Sequence, residues 1–169
     1  MPFHPEILEK LSLSDNQLNE ALYKDVQDVF ATMVGVDDVT LNPLQDDSPV
    51  QIDKCLTAMI GMAGIYSGLL RIDLPVSLAL SFTSLMLDME VTEINDDVTD
   101  AMGEIANMIG GSFKMHLSHA GNDIKLSTPS VVSGTDYAVS SRSKLGTVIL
   151  NLQSASKPFS ISLTLEQDD

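Results

Sequence analysis

Two adjacent segments near the C-terminus alternate between apolar and polar residues, and this feature constrains the fold most strongly. In "TVILNLQ" (147–153) and "FSISLTL" (159–165), apolar side chains recur at every second position. This spacing places them on one face of a strand. The intervening "SASKP" is suited to a tight turn. The pair therefore predicts an antiparallel hairpin whose apolar face is covered by another layer.

Three upstream segments have the apolar spacing that is typical of helices. The first, 16–34, follows "SDNQ", which has the residues of a capping box. The second begins after Pro75 with "VSLALSFTSLML". It is apolar on most sides, so we expect it to be well buried. The third runs from 96 to 118 and begins after an asparagine that can cap it.

Further strand-like stretches complete the order of elements. Two lie over 50–73, and "DIKLSTPSVV" at 123–132 is another extended piece. Strands that follow one another through turns indicate an α+β fold, with a largely antiparallel sheet packed against two or three long helices. With 169 residues, 44% of them hydrophobic, we expect a single domain over 1–169 with its core at about 16–165.

The composition excludes several classes of protein. The lone cysteine, Cys55, has no partner for an internal disulfide. The start, "MPFHPEILEKL", has no basic leader followed by an apolar core. No apolar run approaches the ~20 residues that cross a bilayer. We therefore expect a cytoplasmic protein.

The charge argues against a nucleic-acid partner. Nine basic and 24 acidic residues give a net charge of −15, which repels a polyanion over most directions of approach. There is also no cluster of lysine and arginine. Neither nucleic acid nor an acidic membrane surface is expected to bind.

The third predicted helix contains "DAMGEIANMIGGSFK" (100–114), which is an unusual helix sequence. Its three glycines each cost a helix interior roughly 1 kcal/mol relative to alanine. At about 100° per residue, a group of residues that we call the strip falls within an arc of roughly 80°. The strip consists of Asp100, Glu104, Asn107, Gly111 and Lys114.

The opposite side of this helix carries an apolar core stripe: Val98, Met102, Ile105, Ile109 and Phe113. Gly103 and Gly110 border the strip, which is therefore nearly free of bulky side chains. Such a surface suits close approach of a partner's backbone or of a phosphoryl group. A charged helix face is also often only solvated, and small residues also serve tight packing between helices of one protein. The pattern alone leaves these interpretations open.

Other kinds of site have weaker support. His116 and His119 have H-x2-H spacing on the third helix, but no third metal ligand stands out. The serines lack a nucleophile-elbow motif. Asp100 and Glu104 cannot act as a glycosidase pair, because neighbours on one helix do not flank a substrate from opposite sides.

Glycines and methionines elsewhere have structural explanations. The spacing of Gly61, Gly64 and Gly68 is wrong for a dinucleotide fingerprint and fits bends or bulges between strands. Six methionines are expected to fill the core: Met33, Met59, Met62, Met86, Met102 and Met108.

One pattern resembles a known family. The "D-x3-E-x2-N" of Asp100, Glu104 and Asn107, followed by Pro129, resembles the signature of the CheC/CheX/FliY chemotaxis phosphatases. The gap to the proline is about one residue shorter than the usual one. "MIGMAGIYSGLLRIDLP" and "EINDDVTDAMGEIANMIGGSFK" resemble the family's glycine-bearing hairpin and motif helix. The likeness extends from about 16 to 165, and the single copy of the motif resembles CheX more than the two-site CheC.

The resemblance implies an activity and a set of residue roles. The family acts on the phosphorylated response regulator CheY, so the substrate would be the aspartyl phosphate of a CheY-like receiver. By resemblance, Asn107 orients the attacking water and Glu104 pairs with the receiver's active-site lysine. Asp100 is either a rim contact or an aid to helix initiation. Gly103, Gly111 and Lys114 complete the expected partner contact. No cofactor is expected in this chain, since Mg²⁺ belongs to the receiver.

Two functional hypotheses follow from the resemblance. The first is a response-regulator aspartyl-phosphate phosphatase of the CheX type, and the retained Glu-x2-Asn pair favours it. The second is a non-catalytic relative that docks a receiver or a flagellar-switch component, or that only dimerises. We also expect a homodimer, because CheX-like proteins associate through sheet edges and the two C-terminal strands are expected to offer unpaired edges.

Overall fold

The fold consists of helices and one antiparallel sheet whose strands differ in length. The computed structural model describes residues 3–42, 51–118, 123–135, 137–139 and 145–166. The helices are α1 (Pro5–Leu11), α2 (Asp15–Met33), α3 (Val76–Leu87) and α4 (Asp96–Leu117). The strands are β1 (Thr40–Leu41), β2 (Lys54–Gly64), β3 (Ser67–Pro75), β4 (Ile124–Leu126), β5 (Ser130–Thr135), β6 (Gly146–Ser154) and β7 (Lys157–Glu166).

The sheet is antiparallel at every pairing that the structure describes. Its strand order is β1-β6-β7-β3-β2-β4, and β5 also pairs with β2, on the side that β4 occupies. The predicted C-terminal hairpin is β6 and β7, joined by Ala155 and Ser156 in a turn where both residues have positive φ. Positive φ at two central residues matches the twist of the flanking strands. The predicted α+β fold is confirmed.

Helices α2, α3 and α4 cover one face of the sheet and form the core with it. Three aromatic rings join the layers: the Phe30 ring centroid lies 5.0 Å from that of Phe82 and 5.6 Å from that of Phe159. The expectation that α3 is buried on most sides is wrong at its C-terminal end, where Leu85 and Leu87 are exposed. Among the described residues, no helix is long and apolar enough to cross a membrane.

Two short elements have no counterpart in the predicted set. Helix α1 has only seven residues, too few for an apolar period to repeat clearly. Strand β1 has only two residues, too few for an alternating apolar pattern. Its pairing with Gln153 and Leu152 depends on β6, which is distant in the sequence.

The outer face of the sheet carries a buried polar network. Arg71 Nε and Nη2 each donate to the Asp73 carboxylate over 3.0 Å, and Arg71 Nη1 donates to the Val139 carbonyl over 3.1 Å. Burial raises the pKa of Tyr137 to about 12, so its hydroxyl is protonated at neutral pH. It donates to Thr57 Oγ1 (2.7 Å), which in turn donates to Asp73 (2.6 Å). The network holds 137–139 against the sheet.

The position of β7 corrects one expectation. β7 pairs with β3 on one side and with β6 on the other, so it offers no free edge. Of the two C-terminal strands, only β6 lies next to the sheet's margin, where β1 pairs with two of its residues. The prediction that both strands offer unpaired edges is wrong for β7.

Candidate active site

Helix α4 begins and ends where the sequence predicts. The Asn95 side chain accepts a hydrogen bond from the Val98 backbone N–H over 3.1 Å. Asp96 and Asp97 lie in the first turn, where the helix dipole favours negative charge. The helix ends at its cap residue, Ser118. These signals fix the start of the helix and therefore the direction in which each later side chain points.

The predicted core stripe of α4 is confirmed. All five of its residues are buried: Val98, Met102, Ile105, Ile109 and Phe113. They pack onto the sheet and against α2 and α3. The stripe therefore leaves the opposite side of α4 as an outer surface.

Two glycines of α4 face inward. Gly103 is buried, and a Cβ at this position would lie 3.4 Å from Pro129 Cβ. Gly110 is also buried, and its Cβ would lie 3.3 Å from Ile60 Cγ2 and 3.4 Å from Leu126 Cδ1. Gly110 lets α4 approach the sheet closely, and Gly103 lets it approach the segment between β4 and β5. Gly103 has Pro129 of the same chain beside it, and its expected contact with a partner stays a prediction.

The strip lies on the outer side of α4. Asp100 and Glu104 are exposed, whereas Asn107, Gly111 and Lys114 are half-buried. Within the described part of the chain, the side chains of Glu104 and Asn107 make no hydrogen bond or ion pair. They lie three residues apart, about one helical turn, and are available to a partner together.

Lys114, at the C-terminal end of the strip, is half-buried and contacts the sheet of its own chain. Its ammonium group donates to the Ile124 backbone carbonyl over 3.4 Å. Ile124 begins β4, so this contact ties the second half of α4 to the sheet margin. Its expected contact with a partner stays a prediction.

The loop that carries Pro129 is held beside the strip by β2. The Ser127 backbone N–H donates to the Gly61 carbonyl over 2.9 Å. The Gly61 N–H donates to Ser127 Oγ over 2.8 Å. These two hydrogen bonds fix the segment between β4 and β5. They thereby hold Pro129 against Gly103. The structure therefore brings Pro129 next to the residue that precedes Glu104, despite the shortened gap in the sequence.

Gly111 has open space where Gly110 is crowded, and alanine substitutions at the two positions test this difference. A Cβ at Gly111 meets no described atom within 4 Å. We expect Gly111→Ala to raise the free energy of unfolding by about 0.5–1 kcal/mol, since alanine restricts the unfolded chain and meets no obstacle. Chemical denaturation measures the change. Gly110→Ala is the control and should give no gain, because its Cβ crowds Ile60 and Leu126. Equal stabilisation by both substitutions would contradict the assigned environments.

The alternative metal site has no support in the described residues. His116 Nε2 lies 2.7 Å from Asp25 Oδ2 and links α4 to α2. His119 lies outside the described residues. Across the described ranges, no group of three His, Cys, Asp or Glu side chains is arranged to hold a metal ion.

Two methionine assignments are wrong, and one of the corrections matters for the surface beside the strip. Met62 and Met102 are buried, and Met33 and Met86 are half-buried against the core. Met59 is half-buried but does not belong to the core, and Met108 is 39% exposed. Met115, which had no predicted role, is 51% exposed. A helical wheel places both methionines on one flank of the strip. The helical-wheel position of Met108 can be read from the sequence, but its apolar character alone suggested that it lies in the core.

Comparisons with known proteins agree on one family. The family model described as "Chemotaxis phosphatase CheX" matches residues 56–153, more than half of the chain. The chain is 30% identical over 128 residues to the CheY-P phosphatase CheX of Thermotoga maritima, covering 75% of this chain and 82% of the relative.

Solved structures have the same fold. The crystal structure of chemotaxis protein CheX from Vibrio vulnificus has a TM-score of 0.74 and 26% identity, and the match covers 89% of this chain and 97% of that chain. The CheX-CheY-BeF3-Mg complex from Borrelia burgdorferi also has a TM-score of 0.74, at 17% identity, covering 89% of this chain and 98% of that chain.

Proposed function

The chain belongs to the CheX family of chemotaxis phosphatases, and we propose that it hydrolyses the aspartyl phosphate of a CheY-like receiver domain. One observation carries the proposal: Glu104 and Asn107 lie one turn apart on the outer side of α4, with no partner in the described part of the chain. The Thermotoga relative, named for activity on phosphorylated CheY, supports the same substrate.

Asn107 is the residue that orients the attacking water. Hydrolysis of an aspartyl phosphate proceeds by in-line attack of water on phosphorus, so it needs positioning and charge stabilisation more than covalent chemistry. A neutral amide both accepts from and donates to one water molecule. A carboxylate at this position would repel the phosphoryl oxygens. Asn107 is half-buried on α4, so the helix fixes the position from which its side chain reaches the partner.

Glu104 docks the receiver. Its carboxylate pairs with the active-site lysine of the receiver and sets the register in which α4 enters the pocket. Asp100, one turn earlier and exposed, lies at the rim. Gly111 and Lys114 extend the same contact toward the C-terminal end of α4.

We also propose which protein supplies the metal ion and where the reaction takes place. The magnesium ion belongs to the receiver, and this chain supplies no cofactor of its own. The reaction takes place in the cytoplasm, which suits a chain with a single cysteine. That residues 1–169 form a single domain stays a prediction.

Phosphate release tests the proposed activity. A receiver phosphorylated with a small-molecule donor and freed of excess donor should release phosphate faster when the chain is added. A chain that binds the phosphorylated receiver but leaves its hydrolysis rate unchanged would be a docking module, the alternative function. Absence of both binding and hydrolysis with every CheY-like receiver of the source genome would contradict the proposal.

We also propose that the chain forms a homodimer. An edge strand with unpaired backbone groups invites pairing with another chain, and among the described residues β6 is covered on its outer side by the two-residue strand β1 and by Asn42, whose N–H donates to the Asn151 carbonyl. Light scattering should therefore give a mass of about two chains, twice 18.2 kDa. A monomer mass across micromolar concentrations would contradict the dimer without affecting the proposed activity.

A further inference from the structure

Two exposed methionines continue the outer surface of α4 beyond the proposed catalytic pair. Met108 follows Asn107 directly and is 39% exposed, and Met115 is 51% exposed. Residues seven apart lie on nearly the same side of a helix, about 10 Å apart along its axis. The two methionines therefore form an apolar row that borders the strip along its C-terminal half.

Gly111 lies between these two methionines. It is three residues after Met108 and four residues before Met115, so all three share one side of the helix. A Cβ at Gly111 would meet no described atom within 4 Å, and the backbone is open to an approaching group. Two flexible apolar side chains thus flank a notch. Methionine adapts its shape to a bound surface and is common in protein-binding sites.

The acidic residues around the strip disfavour binding of a phosphorylated receiver, so uncharged surface is needed to strengthen it. Asp96, Asp97, Asp100 and Glu104 are all exposed in the first half of α4, and the sequence has no basic residue from 72 to 113. These acids have the same sign as the phosphoryl group that the proposed function brings beside them, and like charges disfavour association. Apart from the Glu104–lysine pair and Lys114 at the far end of the strip, α4 offers no charge that attracts the phosphorylated receiver, and the methionine row supplies uncharged surface for binding.

We propose that Met108 and Met115, with the notch at Gly111, form the apolar half of the receiver-docking surface. The occupant is the receiver domain itself, which places apolar side chains from the margin of its phosphorylation pocket over the notch. A protein that lies along α4 at Asn107 also approaches Gly111, four residues later on the same side of the helix, and Met108 and Met115 flank that glycine. This inference rests on the proposed function and adds the residues that set the affinity for the receiver.

The test is steady-state kinetics with a phosphorylated CheY-like receiver that the wild-type chain dephosphorylates. The double substitution Met108→Ala with Met115→Ala should raise KM at least tenfold, while kcat falls by less than about threefold, because Asn107 and Glu104 are unchanged. The double substitution to leucine keeps the apolar surface and should restore most of the affinity. Leu85→Ala is the matched control: Leu85 is 56% exposed, like Met115, but lies on α3 and belongs neither to the strip nor to the proposed dimer edge. Its KM should match the wild type.

The outcomes separate this inference from the proposed function. An active wild-type chain whose double alanine variant keeps its KM would overturn the docking role of the methionines and leave the phosphatase intact. A double alanine variant that changes from dimer to monomer in light scattering, with KM unchanged, would assign the row to a second copy of the chain and overturn the inference. A wild-type chain without activity on any receiver would overturn both.

Discussion

Asn107→Ala is expected to lower the rate of receiver dephosphorylation at saturating receiver by at least about 100-fold. Removing one preorganised polar group that acts on the transition state typically costs about 10²–10³ in kcat, and here the amide positions the nucleophile itself. The fold should be preserved, since the site is on the outer side of α4 and alanine is the better helix former. The measurement is phosphate release under steady-state conditions.

Binding should separate from turnover in this variant. Titration against a receiver held in its phosphorylated form by beryllofluoride should give nearly the wild-type affinity, because Glu104 and the methionine row are unchanged. Asn19→Ala is the matched control, an exposed asparagine on the surface of α2, and its turnover should equal that of the wild type. Unchanged hydrolysis by Asn107→Ala would remove Asn107 from the mechanism.

Glu104→Lys is expected to weaken receiver binding by more than about thirtyfold. The substitution replaces an attraction to the receiver's lysine with a like-charge contact in a partly desolvated interface. Truncating one partner of such a pair costs about 2–5 kcal/mol, and reversal should cost at least as much. The loss should appear chiefly as a faster off-rate. If the strip were only a solvated helix face, the change would be worth about 0.2–0.5 kcal/mol of helix stability and would leave affinity unchanged.

A charge-matched control separates local pairing from the overall field. Glu20→Lys makes the same change in net charge at an exposed position on α2, so it reports only the effect of total charge on association. We expect it to bind the beryllofluoride-activated receiver as tightly as the wild type, within about twofold. Equal weakening by both variants would show that Glu104 acts through the general field of the chain and has no specific partner.

Local signals predicted the site helix well. The cap at Asn95 and the buried stripe through Ile105 and Phe113 are set by neighbours in the sequence, because capping and helical periodicity depend on residues within a few turns. The alternating strands β6 and β7 were predictable for the same reason. The outward direction of Glu104 and Asn107 follows from the opposite direction of that stripe.

Features that depend on distant segments were not predictable. The helical wheel predicts Gly103 at the border of the strip, but in the structure its neighbour is Pro129. Pro129 lies next to α4 because Ser127, two residues earlier, pairs with Gly61 on β2. The interior position of β7 depends on its pairing with β3, about ninety residues earlier in the chain. The exposure of Met108 depends on how much of α4 the sheet and α2 cover, which periodicity alone does not determine.

The most direct test of the central claim is the decay of phosphoryl-aspartate on a purified CheY-like receiver, followed in time with a substoichiometric amount of the wild-type chain. We expect decay that is faster than the receiver's own rate, continues through many turnovers per chain, and returns to the receiver's own rate with Asn107→Ala. Decay at the receiver's own rate with the wild-type chain, in a mixture where binding is demonstrated, would contradict the claim.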